Sequence, residues 1–160
     1  MKMIGGVLLV LCALLISRGY RGFVREGVSQ AEAFLKLFSG LYRHVSLSGT
    51  PIDKYMACAN DTVLLSVGFY DEYEKSQSLY SAFCGVRHRL FIPNEMKNVI
   101  ETAFSEMGRG DACTELRLID SAVGELKEMI SGYKGDAEKS MRVVAVILVA
   151  AALGILIILV

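Results

Sequence analysis

The side chains that most often carry out chemistry in proteins are few in this chain of 160 residues. Its cysteines and histidines are Cys12, Cys58, Cys84, Cys113, His44 and His88. Cys84 and His88 stand four positions apart, so they would share one face of a helix and offer two ligands to a metal ion. A small buried thiol beside an exposed imidazole is the simpler interpretation, because four well-spaced zinc ligands are absent. The sequence therefore predicts no metal site.

Patterns that support other kinds of catalysis are also absent. Gly108 and Gly110 are not followed by the Lys and the Ser or Thr that a phosphate-binding loop requires. No G-x-S-x-G sequence occurs. Adjacent acids such as Asp71 and Glu72 lie among other surface charges, and a solvated helix face explains them better than acid–base catalysis. We therefore predict that the chain is not an enzyme, and we expect no catalytic residue, no cofactor and no small-molecule substrate.

Charge is balanced over the whole chain, but acids outnumber bases in one part of it. The total of 17 Lys and Arg against 17 Asp and Glu argues against nucleic-acid binding and against a disordered tail. Between residues 60 and 128, however, 12 acids stand against 7 bases, a local balance of −5. The densest group is Asp71, Glu72 and Glu74. Two interpretations are open: a solvated helix end, or a set of contacts for a basic partner.

The amino-terminal segment is apolar and predicts a membrane anchor. Residues 3–16 carry no charge and cover about 21 Å as a helix, against a hydrocarbon core of about 30 Å. A secretory signal peptide is the alternative, because Lys2 and the short apolar core fit one. Ser17-Arg18-Gly19 is a poor cleavage site, and the arginines that follow resist translocation. We therefore expect residues 3–17 to form an uncleaved transmembrane helix.

The carboxy-terminal segment, residues 143–160, predicts a second transmembrane helix. Its 18 residues would extend about 27 Å as a helix. A buried core helix is the alternative, but a helix that is apolar on every face is typical of a membrane span. The flanking bases set the orientation: seven lie in the middle segment, against Lys2 outside it. These seven are Arg18, Arg21, Arg25, Lys127, Lys134, Lys139 and Arg142. We therefore expect a two-pass protein of the cell membrane whose middle domain, residues 18–142, is cytoplasmic.

The middle domain has the apolar periodicity of helices. A stripe from Val24 to Val45 steps by three or four positions, and a longer one runs from Leu116 to Met141. Further helices are predicted over residues 51–59, 62–73, 79–90 and 93–107. Val63-Leu64-Leu65 would also suit a short strand, but no partner strand is evident. The predicted fold class is all-α: a cytoplasmic bundle of about five or six helices flanked by N- and C-terminal transmembrane helices.

Four residues are expected to have architectural roles at helix ends. Thr50 is a predicted helix cap, and Pro51 suits the first position of the helix that follows. Gly108 suits the left-handed position that ends a helix, and Asp111 is predicted to cap the next one.

Several of these features together resemble stage III sporulation protein AB, a family of endospore-forming bacteria. The start, MKMIGGVLLVLCALLISRGY, looks like the family's anchor and following arginines. Ser48-Gly49-Thr50-Pro51-Ile52 is similar to its Y-G-x-T-P-L element, and the stretch 104–111 to one that ends in L-G-x-S-D. The terminal span after Lys139-x-x-Arg142 corresponds to its closing helix. The chain departs from the family in lacking Trp and in having Gly110 where Ser is expected.

The resemblance implies a fold and a role. The family's cytoplasmic domain is similar to the F-type platform domain of type II secretion systems, and it belongs to the channel between mother cell and forespore. The implied role is a non-catalytic scaffold, on the mother-cell side, that docks a secretion-type ATPase beside other small membrane proteins. On this view Asp71, Glu72 and Glu74 are the candidate partner contacts.

Two functions of other classes are the alternatives. One is a membrane-bound regulatory or signalling subunit unrelated to secretion. The other, a secreted enzyme with a tail anchor, fits least well because catalytic patterns are absent. Gene neighbourhood separates the first alternative from the platform, since a platform gene should lie beside those of an ATPase and several small membrane proteins.

Overall fold

The computed structural model of the chain describes residues 2–48, 52–108 and 110–159. Within these ranges the regular structure is entirely helical, which confirms the all-α fold class. The helices are α1 (Lys2–Ser48), α2 (Ile52–Cys58), α3 (Thr62–Ser66), α4 (Phe69–Ser76), α5 (Leu79–Val86), a 3₁₀ helix (Arg87–Arg89), α6 (Asn94–Glu106) and α7 (Ala112–Leu159).

The chain divides into two compact units. One is Gly27–Ser131, here called the helical body, and its bounds lie inside the predicted middle domain. The other comprises Met1–Glu26 and Gly132–Val160. Among the described residues, no helix combines the length and the apolar character needed to cross a membrane. The flanking transmembrane helices over residues 3–17 and 143–160 therefore stay predictions.

Phenylalanine side chains form the centre of the helical body. Phe34 is fully buried, and its ring lies edge-on to Phe69 at 5.4 Å and to Phe83 at 5.5 Å between ring centroids. Phe104 stacks on Phe38 at 4.9 Å and on Phe69 at 6.0 Å. These geometries add to the free energy gained by burying the rings. The phenylalanine cluster, as we call these five residues, therefore joins α1, α4, α5 and α6.

The long helix α7 packs on the body through one apolar face. Ile119, Ala122, Leu126 and Ile130 are buried and recur at intervals of three or four, the spacing of a helix face. The helix continues through Gly132 and Gly135 without a break in its bounds.

The bounds of two helices differ from those that the apolar pattern predicted. The helix expected over residues 62–73 is divided into α3 and α4, because Gly68 between them adopts φ +82°, a conformation that a continuing α-helix cannot include. Asp61 caps α3 as its side chain accepts the Val63 amide at 2.9 Å. The helix expected over residues 79–90 ends at Val86, and a 3₁₀ turn follows it. Val63-Leu64-Leu65 lies in α3, so helix rather than strand is confirmed there.

A close backbone contact holds the loop after the 3₁₀ helix against α1. A Cβ atom added to Gly27 would lie 2.6 Å from the Phe91 carbonyl oxygen, so only glycine fits without movement. One turn further along α1, the buried Gln30 accepts the Phe91 amide proton through Oε1 at 2.7 Å. Lys97 of α6 donates to the Leu90 carbonyl oxygen at 2.7 Å. The loop is thus fixed to both α1 and α6.

We predict that Gly27→Ala destabilises the protein, although alanine is the better helix former. The added methyl group would force the Phe91 backbone away from α1, at a cost of about 1–3 kcal/mol for overpacking. Gly124→Ala is the matched control, because nothing lies within 4 Å of the added atom. That change should stabilise α7 by about 0.5–1 kcal/mol. Denaturant unfolding of the full chain, followed by circular dichroism, measures both. Equal stability of Gly27→Ala and wild type would contradict the close contact.

Candidate functional site

The predicted contact acids lie on α4 but do not form one surface. Asp71 and Glu72 are in the first turn of the helix, and Glu74 follows one position after Tyr73. Residues two positions apart on a helix point in different directions, so Glu72 and Glu74 face different neighbours. Asp71 and Glu74 are exposed, whereas Glu72 is half-buried.

Glu72 is engaged within the helical body. Its Oε1 accepts from Lys75 Nζ at 2.9 Å, and this bond is the main cause of a lowered Glu72 pKa. Its Cγ would lie 3.2 Å from a Cβ placed on Gly85, so the side chain lies along α5. The charge of Arg89 further lowers the Glu72 pKa. Two cations therefore offset this carboxylate, which leaves Asp71 and Glu74 as the outward-facing acids.

A cleft of about 300 Å³ opens between α2 and α4, on the side of α4 to which Glu74 belongs. Its lining includes Asp53, Met56, Leu65, Tyr70, Tyr73 and Glu74. Asp53 and Met56 are three positions apart on α2, while Tyr70, Tyr73 and Glu74 recur at three or four positions on α4. Because residues at these intervals share a helix face, one face of α2 and one face of α4 line the cleft together. We call this feature the α2–α4 cleft.

Hydrogen bonds fix the tyrosines that line the cleft. Tyr73 donates its hydroxyl proton to Asp53 Oδ1 at 2.8 Å, and the Tyr70 hydroxyl oxygen accepts the Asp61 amide proton at 3.2 Å. Burial and the Asp53 carboxylate raise the pKa of Tyr73 to about 12, and burial is the main cause of a raised Tyr70 pKa. Both tyrosines are therefore neutral at pH 7. The formal charge on the cleft lining is that of Asp53 and Glu74.

Sequence reasoning named Glu74 but missed the other cleft residues. Asp53 lies 20 positions from Tyr73 along the chain. The available signal was the helical spacing of Tyr70, Tyr73 and Glu74, which places tyrosines beside an acid on one face. Nothing in the local sequence pairs that face with α2.

Of the four expected architectural residues, Gly108 and Asp111 lie in the described part of the chain. Thr50 and Pro51 lie outside the described residues. Gly108, two positions after the last residue of α6, has φ +82°, and its amide donates to Glu115 Oε1 at 2.9 Å. Asp111 precedes α7, where Oδ1 accepts the Thr114 amide at 3.2 Å and also the Thr114 hydroxyl. These bonds from Thr114 are the main cause of the lowered Asp111 pKa.

Cys84 and His88 do not share a helix face, because α5 ends between them at Val86. Both side chains are exposed, so the expectation of a buried thiol at Cys84 was wrong. In the part of the chain that the structure describes, no group of three or more His, Cys, Asp or Glu side chains is placed to hold a metal ion.

The chain was compared with protein-family models, curated proteins and solved structures, and no significant match was found in any of the three. The resemblance to stage III sporulation protein AB accordingly rests on the sequence elements quoted above.

Proposed function

We propose that the chain is a non-catalytic membrane platform in a secretion-like channel between mother cell and forespore. In this role the middle domain lies in the mother-cell cytoplasm and docks a secretion-type ATPase. Both ends are membrane-embedded and contact the other small membrane proteins of the channel. The order and spacing of the family-like sequence elements support the assignment to this channel.

One structural observation carries the membrane part of the proposal. Four aliphatic side chains within one short stretch of α7 each have between 40% and 68% of their surface exposed: Val143, Val144, Val146 and Ile147. No charged residue occurs from 143 to 160. A contiguous exposed apolar surface on a protein calls for cover by lipid or by another protein. A helix end of this composition favours the hydrocarbon of a bilayer.

The helical body supplies what a platform needs on its cytoplasmic side. The helices α1, α4, α5 and α6 meet at the phenylalanine cluster, which gives a base of fixed shape without any requirement for a nucleophile or a cofactor. The exposed carboxylates of Asp71 and Glu74 offer charge for a basic surface of the ATPase. Charges at the rim of an interface mainly raise the rate of association and make it salt-dependent.

Thiol labelling tests the proposed topology. Cys58, Cys84 and Cys113 are exposed, so a reagent that reaches their side of the membrane should modify them. We expect an impermeant reagent to leave all three unmodified in intact cells carrying Cys12→Ser, and to modify them after permeabilisation. Lys2→Cys in the same background is the positive control, since the topology places it outside. Modification of the three native thiols in intact cells would contradict the topology.

Co-purification tests the docking role. We expect the combined change Asp71→Lys, Glu72→Lys and Glu74→Lys to reduce recovery of the secretion-type ATPase at low salt, because attraction becomes repulsion. Asp120→Lys, Glu125→Lys and Glu128→Lys on α7 form a control with the same change in net charge. The helical circular-dichroism signal should be preserved in both variants. Failure of the wild-type chain to recover the ATPase, or equal loss in the two variants, would reject the proposed docking role.

A further inference from the structure

The α2–α4 cleft carries an uncompensated negative charge. Among the described residues, neither Asp53 nor Glu74 forms an ion pair, in contrast to Glu72, which Lys75 neutralises. Asp53 Oδ1 receives a hydrogen bond from the Tyr73 hydroxyl, which leaves the carboxylate charged. The two acids lie on opposite helices and line the same concave surface. A cation in the cleft would therefore interact favourably with both walls.

The other lining groups restrict the chemistry of that cation. Tyr70 is half-buried and contributes an aromatic ring, which attracts a cation placed over its face. Tyr73 is buried, so its part in the cleft is to hold Asp53 by the hydrogen bond from its hydroxyl. Met56 is buried at the cleft, whereas Leu65 has 56% of its surface exposed. A planar guanidinium suits carboxylates and aromatic rings together better than a strongly hydrated ammonium does. The exposed Leu65 suits an apolar neighbour of that guanidinium on the same partner helix.

The size of the cleft favours a side chain over a larger ligand. Its volume of about 300 Å³ is at the lower end of the range for small-molecule sites, about 300–1,000 Å³. The acidic lining also disfavours phosphates and nucleotides, which carry negative charge. A single long cationic side chain on the surface of another protein fits both the small volume and the negative charge of the cleft.

We propose that the α2–α4 cleft is a docking site for an arginine side chain on a helix of the partner protein, with an adjacent apolar residue covering Leu65. The inference rests on the proposed function in one respect, since it takes the docked ATPase as that partner. It places the centre of the docking surface at Glu74 of α4 together with Asp53 of α2, rather than at the three acids of α4.

A peptide probe tests the cleft without the ATPase. The probe is a short helical peptide of alanine and leucine with one central arginine, and the comparison peptide has citrulline, an uncharged isostere, in its place. Binding to the purified full chain is measured by fluorescence anisotropy at low salt. We expect the arginine peptide to bind more tightly than the citrulline peptide. Asp53→Asn, which keeps an acceptor for Tyr73, and Glu74→Gln should each weaken arginine-peptide binding about two- to fivefold.

Glu95→Gln is the matched control, because Glu95 is an exposed acid in the first turn of α6, outside the cleft lining. Its affinity for the arginine peptide should equal that of wild type. Equal binding of the two peptides, absence of binding by the arginine peptide, or an equal loss in Glu95→Gln would overturn the cleft as an arginine site.

The ATPase then separates this inference from the proposed function. If Asp53→Asn combined with Glu74→Gln recovers as much ATPase as wild type, the cleft is not the docking site, and the platform role stands. If the peptide results hold and the wild-type chain recovers no ATPase, the platform role fails, and the cleft stands as an arginine site.

Discussion

The contact between phenylalanine rings of four helices is the interaction on which the helical body depends. Phe104 of α6 lies within 6.3 Å, between ring centroids, of Phe34, Phe38, Phe69 and Phe83. Helices as short as α3, α4 and α5, with 5 to 8 residues, are not stable alone in water. Tertiary packing must supply their stability, and the cluster is where α4 and α5 obtain it.

The same packing determines how the cleft is presented. Phe69 and Tyr73 are four positions apart on α4, and both are buried, so the rotation of the helix about its axis is fixed. With that rotation, Tyr70 and Glu74 line the cleft beside α2. The Tyr73 hydroxyl then reaches Asp53 and joins the two helices. The position of the acidic cleft is therefore a consequence of the aromatic core. A change in the phenylalanine cluster would alter the placement of the α4 residues that line the cleft.

Local patterns predicted what local interactions determine. The helix predicted over residues 93–107 is observed as α6, and the long apolar stripe from Leu116 to Met141 lies in α7. Tertiary contacts escaped such reasoning. The stripe predicted on α1 passes through Ala31, Leu35 and Phe38. It does not include the buried Phe34, because α1 is buried over more than one stripe. Likewise, the acids of α4 look like one cluster in the sequence, yet helix geometry and Lys75 separate Glu72 from the other two.

Hydrogen exchange of backbone amides in the full chain tests the central role of the phenylalanine cluster most directly. The amides of α1, α4, α5 and α6 nearest the cluster should exchange together, as one cooperative unit. Phe104→Leu, which removes the shared ring from α6, should then lower protection in all four helices. Phe91→Leu, at a position with 46% of its surface exposed, serves as the control and should leave them protected. Loss of protection confined to α6 in Phe104→Leu would contradict the account.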